Sequence, residues 1–362
     1  MSAVNKLIAL LRLIAPQKFR HAGLKFYFNA WRNRKKYFIT SHLRPKYADK
    51  VNVWSDELKR APKCAIIIQG SLLKENNFTL ETIRLYKKIF FGANIIVSTW
   101  DTEEPTYIEK IKKENIDVIL NTEPEISGPS HINYQLKSTS AGIRRAKELS
   151  VEYVLKTRTD QRIYGINVLD YFYNLLKTFP PPAGYSEQDA RYIGRTARYK
   201  QKERIIGVSL NTFKYRLYDL SDMVVFGNLE DMELFWSAAP DIRPYKDNPD
   251  FTQGEFSRLR ICEMYLTSEF LKNIGRELKW TLEDSWQAMA DHFIVVDQAS
   301  IDLYWHKYKK YKEFRYRKYG AILNNREMSF LEWLNLYKGL SNKKFIPEAA
   351  LAKRFNDIVP RE

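Results

Sequence analysis

Cysteine is scarce: the 362-residue chain has two, Cys64 and Cys262. Thiols so few and so far apart make neither a disulfide framework nor a zinc quartet, so a reducing compartment and no structural metal are expected, with both thiols read as core atoms. Glycine and proline number 14 each, and with 44% hydrophobic and 28% charged residues this excludes collagen-like, low-complexity and wholly disordered chains. No run approaches the ~18 uninterrupted apolar residues of a membrane span. The sequence lacks G-x-x-x-x-G-K-[ST], and no G-x-G-x-x-G follows its first apolar run, so P-loop and classical dinucleotide sites fail on their glycines. Acid is missing in one place: residues 1–50 hold twelve Lys and Arg against Asp49 alone, which is +11 of a net +16.

Such an asymmetry points to an anionic partner. Leu7 to Ile14 is apolar around Arg12, and Phe19, Leu24, Phe26, Phe28 and Trp31 follow among cations. That mixture suits an interfacial amphipathic helix on an acidic membrane surface, although a segment packed on the main domain with a solvated Arg32–Lys36 cluster also fits. A cleaved signal peptide is not expected, because Arg12 interrupts the apolar core and no small-residue cleavage pattern follows. Tyr304 to Tyr319 interleaves seven basic residues with aromatic rings against Glu313, a second pattern suited to anionic headgroups or to nucleic acid. Nucleic acid is not the expected partner, since no zinc, RNP or KH spacing accompanies the charge.

From Pro62 short apolar runs alternate with amphipathic ones. Strands are expected at Lys63–Gln69, Ala93–Trp100, Asp117–Asn121 and Glu152–Arg158, with helices at Phe78–Phe91, after Pro105, and from Ile132 to Leu149. This alternation predicts an α/β fold with a parallel sheet and helices on both faces, whose ligand site lies at the carboxyl ends of the strands. Farther on, strands are expected at Arg204–Asn211 and Ser221–Phe226, and helices at Leu229–Trp236 and across Gly254–Gly275.

The rim so predicted carries Gln69, Gly70, Ser98, Trp100, Asn133, Gln135, Lys156, Arg158, Asp160 and Arg162 as donor-binding candidates. Asp160 stands where a carboxylate holds a divalent ion bridging a diphosphate; Lys156, Arg158 and Arg162 neutralise phosphate charge. The same spacing suits an Asp–Arg pair at a strand end, and Asn133 and Gln135 suit a helix start. His306 is a second candidate metal ligand. Proton removal from an attacking hydroxyl needs a carboxylate, for which Asp222 and Glu263 are the candidates.

Gln69-Gly70, S-T-W at Ser98–Trp100, N-x-Q at Asn133–Gln135, V-L-K-T-R-T-D at Val154–Asp160 and, more loosely, S-D-M-V-V-F-G at Ser221–Gly227 and E-M-Y-L-T at Glu263–Thr267 resemble the WavE lipopolysaccharide synthesis family over roughly residues 62–310. The resemblance implies a GT-A-like (Rossmann-like) fold, a nucleotide-sugar donor, a lipopolysaccharide or capsular acceptor, lipid-linked, and Asp160 as the metal-binding acid. Thr159-Asp160-Gln161 offers one carboxylate where the usual pattern has two, so a divalent cation (Mg or Mn) is in question. The domains expected are a basic amphipathic arm (1–60), a nucleotide-sugar-binding half (61–165), an acceptor-binding half (166–310) and a helical extension (311–362). The chain reads as a glycosyltransferase peripheral on the inner face of the cytoplasmic membrane; a phosphate-linked-group transferase and a non-catalytic nucleic-acid-binding protein are the alternatives.

Overall fold

The computed structural model describes residues 44–53, 63–181, 199–244, 250–306 and 327–341, with residues 23, 26, 29 and 30. The chain divides into two units, residues 1–45 and 46–362, and the elements below belong to the second. The basic arm and the basic-aromatic run beyond His306 lie almost wholly outside the described residues. Among the described residues no helix is long and apolar enough to cross a membrane.

Cys64–Gln69, buried at every position, forms β1; α1 (Phe78–Ile89), β2 (Asn94–Trp100), α2 (Pro105–Lys112), β3 (Asp117–Asn121), α3 (Ile132–Glu148) and β4 (Tyr153–Arg158) follow in strict alternation. Then come β5 (Gln161–Ile163), α4 (Val168–Thr178), β6 (Ile205–Val208), β7 (Val225–Asn228), α5 (Leu229–Phe235), α6 (Gln253–Arg258), α7 (Glu263–Asn273), α8 (Leu282–His292), β8 (Phe293–Val296), β9 (Leu303–Trp305) and α9 (Phe330–Ser341). Seven strands make one sheet in the order β3-β2-β1-β4-β7-β6-β8. Only β7 among them pairs antiparallel with its neighbours. The expected mostly parallel α/β sheet is therefore present, with one reversed strand that the sequence pattern did not mark.

The chain steps outward from β1 to β2 to β3 and then returns past β1 to β4. Right-handed crossovers consequently put α1 and α2 on one face and α3 on the other. Gly142 brings α3 close against β1: a Cβ there would stand 2.6 Å from Ile67 Cγ2. The reversal of strand order falls between β1 and β4, and a crevice opens outside the carboxyl ends of the strands at such a point. A second, two-stranded sheet pairs β5 with β9, Gln161 opposite Trp305, and carries Trp305 and His306 back to the end of β4.

Three boundaries differ from expectation. The strand expected at Arg204–Asn211 ends at Val208, where the chain turns at Asn211 (φ 65°). Ser221 to Val224 is buried but precedes β7, so Asp222 stands on an irregular segment instead of a strand. The helix expected over Gly254–Gly275 is broken into α6 and α7, because Arg260 (φ 55°) and Cys262 (φ 48°) leave helical space while a Thr252–Glu255 capping box starts α6 independently.

Arg162, expected beside a donor, is instead buried beside α1. Its guanidinium donates to Thr82 Oγ1 (2.9 Å) and to the carbonyls of Phe78 (2.8 Å) and Lys46 (2.8 Å), and lies 4.3 Å from the Phe78 ring centre. Arg162→Met strands those acceptors, so we expect a loss of about 2 kcal/mol or more in urea unfolding. Ligand affinity in the folded fraction should be unchanged; weakened affinity with intact stability would show the opposite assignment.

Candidate functional site

Residues paired in register share a face of the sheet. Gln69 pairs with Ser98 on one side and Arg158 on the other, and one pleat earlier Ile67 pairs with Ile96 and Lys156. Ile67 faces α3, so Gln69, Ser98, Lys156 and Arg158 do so too. Trp100, opposite Asn121, packs edge-on against Tyr134 of α3 with 5.0 Å between ring centres. Every expected donor-binding residue on β1, β2 and β4 thus lies on the α3 face.

The strand ends are stitched together at the switch point. Gly70 N donates to Ser98 O (3.1 Å), Thr159 N to Gln69 O (3.0 Å) and Thr159 Oγ1 to Ser71 O (2.6 Å). Gly70 holds φ +115° with a would-be Cβ 3.2 Å from Thr159 Oγ1, so the chain can leave β1 here only as glycine without strain. Just beyond, Arg158 Nε and Nη2 donate to the two oxygens of Asp160 (2.9 and 3.3 Å), both side chains keeping some exposure. Trp305 Nε1 also donates to Asp160 Oδ2 (3.0 Å), and His306 N to the Asp160 carbonyl (2.9 Å). Burial disfavours the Arg158 charge, but Asp160 and then Asp222 outweigh it and hold the guanidinium above its usual pKa.

The expected residues divide by their surroundings. Ser98 is fully buried and donates to Ser138 O (2.7 Å); Asn133 is spent on the backbone of Ile126 and Asp241 (2.7–3.0 Å), and Trp100 is a wall. Gln69 leaves its side-chain carbonyl buried without a hydrogen-bond donor among the described residues. The His306 ring pairs with Glu75, Nε2 against Oε2 at 3.0 Å.

Behind Arg158 the structure gathers a group that the sequence had scattered. Ligand atoms of Asp222, Cys262 and Glu263 all lie within 4.8 Å of one another. Cys262 Sγ donates to Asp222 Oδ2 (3.6 Å) and accepts from Gln135 Nε2 (3.7 Å); Gln135 Oε1 in turn accepts from Lys156 Nζ (3.2 Å), which also donates to the Asp222 carbonyl. Asp222 is 2% exposed, whereas Glu263, the first residue of α7, is only half-buried. Cys262 precedes it at φ 48°, ψ −106°, a backbone conformation costly for a side-chain-bearing residue and tolerated where surroundings impose it. Burial, then the nearby carboxylates of Asp222 and Asp219, push Glu263 up to about 8. Asp219, 3.8 Å from Arg216, is pushed by burial to about 7 despite that cation. Burial and the adjoining carboxylates keep the Cys262 thiol well above its ordinary value. Cys262 is a buried core thiol, as expected, but its place between Asp222 and Gln135 was not foreseen; its one sequence signal is adjacency to Glu263.

Two acids with raised pKa values bind protons in the folded state that the unfolded chain, titrating near ~4, has already released. Stability from Asp219 and Glu263 is therefore lost as pH rises from ~4 towards about 7 and 8. Urea midpoints should be higher at pH 6 than at pH 8.5, with the difference reduced in Asp219→Asn; an unreduced difference would place the titration elsewhere.

A divalent ion at Asp160 finds a single carboxylate, whose oxygens already accept from Arg158 and Trp305, and His306 turned to Glu75. Among the described residues the donors that converge are Asp222, Cys262 and Glu263, beside the Lys156 ammonium. A single carboxylate shared with Arg158 and Trp305, and a donor group set beside an ammonium, do not make a resident metal centre.

The family model described as WavE lipopolysaccharide synthesis matches residues 64–361. No match was found among curated proteins. Solved structures similar to this chain include a cytidylyltransferase from Leptospira borgpetersenii serovar Hardjo-bovis, at 11% identity and TM-score 0.33, covering 83% of this chain and 100% of that one. A glycosyltransferase involved in glycosylating the major capsid of PBCV-1 shows 18% identity and TM-score 0.23 over 48% of this chain and 66% of that one. Core-mannan synthase A from Aspergillus fumigatus, in an Mn/GDP form, shows 9% identity and TM-score 0.27 over 71% and 79%. At these scores the likenesses are distant, and the family match is the informative finding.

Proposed function

We propose that this chain, which belongs to the WavE lipopolysaccharide synthesis family, is a glycosyltransferase that moves a sugar from a nucleotide sugar to a lipopolysaccharide glycan. The observation that carries this reading is the placement of the Arg158–Asp160 pair at the β1/β4 switch point, with the Asp222–Cys262–Glu263 group next to it on the α3 face. A diphosphate at the carboxyl ends of β1 and β4 meets Arg158, whose planar fork suits phosphate oxygens. Asp160 and Trp305 orient that guanidinium. Gln69, paired in register with Arg158, leaves an unmet acceptor beside it that would take a hydroxyl or N–H of the donor.

Glu263 is the base. It is the least enclosed residue of its group, and its raised pKa makes the ionised form a strong proton acceptor. The acceptor hydroxyl gives its proton to a Glu263 oxygen as its own oxygen bonds to the anomeric carbon. The bond from that carbon to the diphosphate oxygen breaks, and the electron pair leaves with the nucleotide, where Arg158 stabilises it. One displacement of this kind inverts the anomeric configuration. Asp222 is enclosed and acts on Glu263 as a neighbouring charge. An acceptor carried on lipid stays at the bilayer, and the basic excess of residues 1–50 would bring the enzyme to an acidic surface.

Incubating the full chain with radiolabelled nucleotide sugars and lipopolysaccharide isolated from cells lacking the protein tests the reading. Label in the glycan and free nucleoside diphosphate in equal amounts are expected. Label transferred together with phosphate would identify a phosphate-linked-group transferase instead.

A further inference from the structure

Lys156 is fully buried, and the transfer step above makes no use of it. Its ammonium donates to Gln135 Oε1 on α3 and to the Asp222 carbonyl before β7, and lies 4.9 Å from the ring centre of Trp236, just past α5. Three separate stretches of chain therefore meet on one nitrogen. Burying an ammonium is costly unless it is paired and hydrogen-bonded, and burial lowers this one to about 8 against the opposing pull of Asp222. Enclosure also separates its task from that of Arg158, two residues on along the same face, which keeps exposure to meet a donor.

We propose that Lys156 is a positioning residue that pins the Asp222 segment to α3, and so holds Asp222, Cys262 and Glu263 in the arrangement in which Glu263 takes the acceptor's proton. The proposal rests on the reading of Glu263 as base. Gln135 is the link on the α3 side: its amide oxygen accepts from Lys156 and its amide nitrogen donates to Cys262, whose thiol donates to Asp222. The charges that face this group are Asp222, Arg158, Cys262 and Asp160 around Lys156, and Asp222, Asp219 and Arg216 around Glu263. Removing the Lys156 cation leaves less positive charge near Glu263, so Glu263 holds its proton to higher pH.

Lys156→Met and Gln135→Leu test it in the full chain, with kcat and its pH dependence measured alongside titration of the donor's nucleoside diphosphate. Lys156→Met should lower kcat by about tenfold to a hundredfold. It should leave nucleoside diphosphate affinity within about twofold and move the rising limb of the kcat profile to higher pH. Gln135→Leu should change both in the same direction by less. A variant that loses nucleoside diphosphate affinity while keeping kcat would make Lys156 a donor contact and overturn the proposal. So would an unchanged kcat and pH profile in a folded variant, and if Lys156→Met does not fold, Gln135→Leu decides on the same criteria. Full activity in Glu263→Gln would sink the base assignment itself, whereas an inactive Glu263→Gln beside an unaffected Lys156→Met would sink only the positioning role.

Discussion

Glu263→Gln is expected to lower the rate of sugar transfer by roughly 10²- to 10⁴-fold, the contribution of a positioned general base. Nucleotide-sugar affinity should be unchanged. Glutamine keeps the shape and the α7 N-terminal position of the side chain but cannot accept a proton. Asp222 cannot substitute, being 2% exposed with its carboxylate facing Cys262. The pH dependence supplies a second signature. Burial and the charges of Asp222 and Asp219 raise Glu263 to about 8, so the free enzyme holds it protonated at neutral pH and kcat/KM rises with pH through about 8. Asp219→Asn removes one of those charges, makes Glu263 easier to ionise and should shift the rise to lower pH. A profile flat across this range, or a Glu263→Gln variant with full turnover, would remove Glu263 from the chemistry.

Replacing Arg158 with methionine should weaken binding of the nucleotide sugar and of its nucleoside diphosphate by roughly 10- to 100-fold, corresponding to ~1.5–3 kcal/mol for a charge-assisted hydrogen bond. The uncharged nucleoside should bind as before, since the lost interaction is with phosphate. Asp160 keeps its bond from Trp305 in this variant and remains in place. The turnover of bound donor should also fall, because the negative charge that develops on the leaving diphosphate loses its nearest cation. Equal weakening for nucleoside and diphosphate would mean that Arg158 shapes the pocket and does not read phosphate. Isothermal titration of the two ligands side by side separates these outcomes.

The parallel half of the sheet was legible because β1, β2 and β4 are apolar runs buried on both faces and its helices begin and end at clear signals, Pro105 among them. The rim followed from topology: once β1 and β4 are neighbours, Gln69, Gly70, Arg158 and Asp160 converge wherever their side chains point. Legibility stopped where contacts depend on long-range folding. Asp222 and Glu263 were singled out for their chemistry, yet nothing in sequence says that a left-handed turn at Cys262 brings them within 4.8 Å of each other with the thiol between. Arg162 shows the opposite failure. Its spacing from Asp160 fits a phosphate contact, but β5 turns alternate residues to opposite sides and its partner β9 fixes the strand so that Arg162 packs on Phe78. His306 was read as a candidate ligand from its type alone, and the β5–β9 pairing instead brings its backbone, with the Trp305 ring, to Asp160.

The proposed function requires a nucleotide-sugar site built on Arg158 and Asp160 at the switch point. Its most direct test is thermal unfolding of wild type and Asp160→Ala with UDP, GDP, CMP and their sugar conjugates, with and without manganese. A ligand at a hundred times its dissociation constant stabilises a fold by ~2.7 kcal/mol, so binding is readily seen. One nucleotide class is expected to raise the unfolding temperature of wild type and to raise that of Asp160→Ala much less. A panel that fails to stabilise the folded wild type, or that stabilises both proteins equally, would contradict it.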